Sequence, residues 1–324
     1  MTRHLRALLA LVFVAGIAGA QDQTRAADTA QSHAAEQAHA PDEHGASGDF
    51  ITSHITDGNH LELPYWKPPF HVEITLPQWE PIHIGPLTLD LSPTKHLVFM
   101  LVAAILCVLT LTLAASSHRR QTQANGSPRG FAAAIESVVL YLRNEVVLPN
   151  VGPHGDKFVP FCLTLFFFIL YCNLIGLIPY GATPTGNIAV TATLAIVAML
   201  VIEIAGMRAL GWGYLGTIFY WPHDMPFVMK APLTLIMTPI EFIGKFTKIF
   251  ALAIRLFANM TGGHIVVLAL VGLIFTFGSW LITPLPVAMT VAIMLLELFV
   301  AFLQAFVFTL LVAVFIGQMR VAHH

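Results

Sequence analysis

The sequence predicts an all-α polytopic membrane protein with five membrane-crossing helices, the last two long and strongly tilted. Three observations predict it. The 324 residues are 56 % hydrophobic and 10 % charged, with a mean hydropathy of +0.74, which excludes an ordinary soluble domain. Five apolar runs are long enough to cross a bilayer core, which takes about 20 helical residues. Lys and Arg gather in alternate connections between those runs.

The chain opens on Arg3 and Arg6, an apolar run over residues 7–18, and Ala18-Gly19-Ala20. Residues 1–20 therefore read as a secretory signal peptide. Residues 21–94 follow as a small periplasmic extension, with eleven acidic residues against Arg25 and Lys67. Residues 21–58 have little to bury and read as disordered. Their histidines, His33, His39, His44 and His54, and His60 just beyond, are irregularly spaced. They suit a solvated linker better than a metal site. Residues 71–76 and 82–84 alternate apolar and polar positions, which predicts a small β-hairpin; residues 87–91 suggest a further short strand.

Residues 95–324 form the membrane domain. The first span covers 97–115 and is followed by Arg119, Arg120 and Arg129. Residues 131–147 mix Glu136, Arg143 and Glu145 with apolar positions, which predicts a cytoplasmic amphipathic helix. Residues 158–178 make the second span, and a charge-free turn over 180–187 leads into a third, to about residue 205. An aromatic, Pro-containing connection over 211–230 precedes two long apolar segments, 232–277 and 286–318. Both exceed an upright span, so they must tilt or bend. Arg119, Arg120, Arg129, Arg143, Lys157, Arg208, Lys230 and Arg320 all fall on one side. The positive-inside rule makes that side cytoplasmic, with the N-terminus outside. Cys107, Cys162 and Cys172 lie in apolar runs and read as small core residues.

The fourth run carries fixed charge. Glu241, Lys248, Arg255 and Gly262 are seven apart and fall near one line on a helix, with Lys245 and Asn259 beside it. Glu241 and Lys245, four apart, can pair. Arg255 has no acid three or four residues away, so its counter-charge must come from another segment or chain. An intramembrane arginine costs about 2.5–3.5 kcal/mol on insertion scales and marks a functional site by default. His264 lies about 180° around the helix and about 13 Å along it from Arg255. Glu297 and Gln304 share a face of the last helix. Lys245 and Lys248 read as interfacial residues whose amines reach for the headgroups.

The run from Arg255 through Leu256, Phe257, Ala258, Asn259, Met260, Thr261, Gly262 and Gly263 to His264, followed by Glu297 and by Leu303-Gln304-Ala305-Phe306, resembles subunit a of F-type ATP synthases. The resemblance covers roughly residues 90–320. It implies a stator with two half-channels, coupling proton flow to rotation of a c-ring, with a subunit b peripheral stalk and membrane lipid as further partners. It implies no catalytic site of the chain's own, no cofactor, no metal and no nucleic acid. It places the protein in the bacterial inner membrane. By the same resemblance Arg255 faces the rotor carboxylate, Gln304 neighbours the arginine, and His264 with Glu297 serves the entrance half-channel. Glu241 matches an acid of the cytoplasmic half-channel and Asn259 a polar channel residue. Many bacterial relatives carry the acid and the histidine in the opposite order, so the pair looks exchanged. A secondary transporter would predict internal repeats, and an intramembrane metalloprotease a His-Glu-x-x-His motif; neither is present. The stator of another ion-driven motor remains the alternative with similar needs.

Overall fold

The computed structural model describes residues 58, 60–64, 71–79, 82–84, 87–89, 92–123, 130–178, 181–217, 227–277 and 283–320. The signal segment and the region read as disordered lie outside the described residues up to residue 57.

Among the described residues, four short strands precede the membrane helices. Strands β1 (His60–Pro64) and β2 (His71–Thr75) pair antiparallel, with Glu62 opposite Glu73. Strands β3 (Ile82–Ile84) and β4 (Leu87–Leu89) form a second antiparallel pair. The alternating segments are strands as expected, but 71–75 pairs back to 60–64, and 82–84 pairs forward.

Among the described residues five helices are long and apolar enough to cross a membrane. They are α1 (Lys95–Gln123), α4 (Val159–Gly176), α5 (Ile188–Leu210), α6 (Phe227–Phe277) and α7 (Pro284–Arg320). Between α1 and α4 lie α2 (Phe131–Tyr141), a π-helical stretch (Leu142–Val147) and the short α3 (Leu148–Val151). Helix α2 exposes Phe131, Val138, Leu140 and Tyr141. Two segments differ in extent from expectation. Helix α5 runs to Leu210, where Gly211 takes a positive φ of 56° and stops it. Helix α6 begins at Phe227, ahead of the expected residue 232.

Helix α4 is the centre of the bundle, packed against α1 and α7. Its Cys162, Leu165, Ile169 and Cys172 have no exposed surface, so all three cysteines of the chain, Cys107 included, serve as core residues. Small residues on α7 permit close approach: Ala301, Ala305 and Ala313 are fully buried, and a Cβ at Gly317 would run into the carbonyl of Asn150. Asn187 starts α5 by accepting a hydrogen bond from the Ala189 amide at 2.9 Å.

Helix α6, at 51 residues, is about 76 Å long, and α7, at 37 residues, about 55 Å. A hydrocarbon core of about 30 Å cannot hold either upright. Helix α6 packs on α5 and α7 along one narrow strip. Among its described side chains only Lys245, Leu252, Ala253, Leu256 and Met260 are buried.

Candidate functional site

Each α-helical residue turns by about 100°, so those five buried positions of α6 lie between about 60° and about 160° from Arg255. Glu241, Lys248, Asn259 and Gly262 lie within about 40° of Arg255, and all five residues are exposed. The polar stripe is thus turned away from the chain's own bundle. Arg255 makes no ion pair or hydrogen bond with any described residue.

His264 lies on the inner side of the same helix. Its Nε2 is 3.2 Å from Oγ1 of Thr183, in the turn between α4 and α5. Gly176 must be a glycine, because the Thr183 side chain occupies the place of its missing Cβ. One turn earlier on α6, the Thr261 hydroxyl donates to the Gly186 carbonyl at 3.4 Å. The turn is fixed from below by Asn173, fully buried in α4. Asn173 accepts from the Thr185 hydroxyl at 2.7 Å and donates to the Ala301 carbonyl of α7 at 3.3 Å.

Glu297 of α7 points at α6. Its carboxylate lies where a Cβ of Gly263 would be, beside His264 in sequence. Oε1 is buried and has no hydrogen-bond partner among the described residues. A buried carboxyl oxygen in that state is satisfied by a water or by carrying a proton itself. Glu297 and His264 therefore adjoin through Gly263, with no hydrogen bond or ion pair joining them directly. Gln304 is buried on the inner face of α7 and makes no hydrogen bond to Arg255.

Two expectations on α6 need correction. Lys245 is not an interfacial residue reaching outward: it is 7 % exposed. It also does not pair with Glu241. Its Nζ lies 3.8 Å from Glu203 of α5 and 3.2 Å from the Tyr214 hydroxyl, while Glu241 is exposed. The physical reason is angular. Position 245 falls about 80° from Arg255, inside the strip that packs on α5. Lys248 stays exposed and lies 5.2 Å from the Phe315 ring centre on α7. Thr183 and Tyr214 carried no signal in the sequence, since neither stands out from its neighbours. Among the described residues no cluster of three His, Cys, Asp or Glu side chains could hold a metal ion.

A multi-helix membrane protein whose long helix carries an arginine with no partner among the described residues, and an acid and an imidazole lodged behind it, has the makings of an ion-translocating protein. A family model described as "ATP synthase A chain" matches residues 97–317. A protein of Chloroherpeton thalassium named "ATP synthase subunit a" is 46 % identical over 271 residues, covering 83 % of this chain and 76 % of that protein. "ATP synthase subunit a 2" of Prosthecochloris aestuarii is 42 % identical over 311 residues, 95 % of this chain and 90 % of that protein. "ATP synthase subunit a" of Anaeromyxobacter dehalogenans is 40 % identical over 318 residues, 95 % and 79 % of the two chains. The chain belongs to the ATP synthase subunit a family, the membrane-integral, proton-translocating stator of the F0 sector.

Proposed function

We propose that this chain provides two half-channels that meet at Arg255 and couple proton flow to rotation of a c-ring. The observation that carries the reading is an arginine on an exposed side of α6, outside the strip that packs on its own chain and with no ion pair or hydrogen bond to a described residue. A guanidinium stays protonated at physiological pH and does not relay a proton. It attracts a rotor carboxylate, favours its ionised form, and so promotes proton release beside it. Protons cannot hop past it, so the two half-channels stay separate. The membrane potential supplies about 2.3 kcal/mol per charge per 100 mV, which gives the rotation its direction.

His264 and Glu297 serve the half-channel that opens at the 180–187 turn. Glu241 and Asn259, on the open stripe, serve the other half and the passage toward the rotor. Gln304 keeps α7 polar near the level of Arg255. The basic connections lie in the cytoplasm and the turns over 180–187 and 278–283 in the periplasm, so the N-terminus is periplasmic and the C-terminus cytoplasmic. The c-ring occupies the open face of α6, and subunit b joins the stator elsewhere in the membrane.

A cross-linking pair tests the reading. Gly262 shares the arginine face and has open space where a Cβ would stand, whereas Met260 is buried. With a cysteine near the rotor carboxylate of subunit c, Gly262→Cys should give an oxidised a–c product and Met260→Cys none. A product from Met260→Cys alone would place the c-ring on the wrong face and end the proposal.

A further inference from the structure

Lys245 is the one buried Lys, Arg, Asp or Glu among the described residues. Its Nζ is 3.8 Å from Glu203 near the end of α5, 3.2 Å from the Tyr214 hydroxyl, and 4.8 Å from the centre of the Tyr214 ring. Tyr214 belongs to the 3-10 segment Gly211–Thr217 that follows α5, and it is itself buried. Room for its ring comes from Gly206 of α5, where a Cβ would stand 2.8 Å from the ring edge. Three elements of sequence, a glycine, an acid and a tyrosine, thus converge on one ammonium. None of the roles assigned above uses it.

The place of this cluster on α6 gives it meaning. Arg255 lies ten residues further on, about 15 Å along the axis and about 80° around it. Nine residues beyond Arg255, His264 is bonded to Thr183. The inner side of α6 is therefore tied to α5 and its preceding turn by polar contacts on both sides of the arginine. Between the two ties Leu252, Ala253, Leu256 and Met260 make apolar contact. Apolar surfaces slide over one another at small cost, because their attraction has little direction. Directed polar contacts do not. Drawing a buried ammonium away from its carboxylate in a medium of low dielectric is strongly unfavourable. A shift of α6 by one turn, about 5.4 Å, would break both ties at once.

We infer that Glu203, Lys245 and Tyr214 form a positioning anchor, which holds the first half of α6 on α5 and keeps Arg255 at a fixed height and facing while a neighbouring subunit moves against it. The inference rests on the proposed function. It adds residues that act through Arg255 and touch no proton themselves.

The test uses the intact ATP synthase in inverted membrane vesicles, with subunit content checked by immunoblot. Proton uptake and ATP hydrolysis are measured together, so that the readout is protons moved per ATP consumed. Lys245→Met and Glu203→Gln should each lower that ratio about tenfold, because displacement of a reacting group by about 1 Å can cost as much as 100-fold. The exchange Glu203→Lys with Lys245→Glu restores one charge of each sign and should recover a large part of the ratio, which a merely structural loss would not do. Tyr214→Phe keeps the ring and removes the hydroxyl, and should give a smaller loss. Should Lys245→Met prevent assembly, Glu203→Gln and Tyr214→Phe decide, since both keep the shape of the site. An unchanged ratio in assembled Glu203→Gln overturns the anchor, as does an exchange variant no better than its singles. Arg255→Ala in the same vesicles separates the two levels. Normal coupling there overturns the proposed function itself, whereas abolished coupling there beside normal Glu203→Gln overturns the anchor alone.

Discussion

Oγ1 of Thr183 lies 3.2 Å from Nε2 of His264, so the turn between the second and third spans reaches into the middle of the long helix that bears Arg255. This contact orients the imidazole toward that turn and away from the arginine stripe. Thr183→Val should remove it at nearly constant volume, with a net stability cost of about 1 kcal/mol. The expected outcome is a full complement of subunit in the membrane and reduced ATP-driven proton uptake, with Thr183→Ser close to the native rate. Equal uptake in Thr183→Val and the native protein would show that the ring needs no such hold.

Gly263 leaves the space that the Glu297 carboxylate fills. Gly263→Ala should push that carboxylate aside and lower proton uptake, by an amount comparable to Glu297→Gln. Combining the two should add little, since both act on one group. Losses that multiply in the double variant would mean that Gly263 matters for helix packing alone.

His264 and Glu297 adjoin through Gly263 and do not bond to each other. If they nonetheless serve one half-channel, His264→Glu with Glu297→His keeps one acid and one imidazole in the same space. That double variant should pump better than at least one of its singles, giving a coupling term in a double-mutant cycle measured on ATP-driven proton uptake. Strictly additive losses would separate the two residues.

Gly45→Cys should be labelled by an impermeant thiol reagent from the periplasmic side, and Ala124→Cys only from the cytoplasmic side. The native cysteines are buried and should stay silent. The expectation follows from the signal-like start and the distribution of Lys and Arg. The reverse labelling would exchange the two half-channels.

Much of this was legible in the chain. Spans show as apolar runs because a bilayer leaves few other solutions for a backbone. The stripe through Glu241, Lys248, Arg255 and Gly262 shows because a seven-residue spacing nearly closes two helical turns. The Lys245 cluster was not legible, because its partner Tyr214 stands 31 residues away and only the packing of α5 on α6 brings the two together. The Thr183–His264 contact spans 81 residues and hides for the same reason. Pairing of the short strands escaped because alternation marks a strand without naming its neighbour.

In the proposed function Arg255 holds the two half-channels apart while it meets the rotor carboxylate. Arg255→Ala, with the subunit assembled at native level, tests it in one preparation. Inverted vesicles are given ATP and their proton uptake is followed; the same vesicles stripped of the catalytic sector are then tested for passive proton leak under an imposed potential. Uptake is expected at background level, together with a leak at or above that of native F0. Native uptake in the assembled Arg255→Ala complex would contradict it.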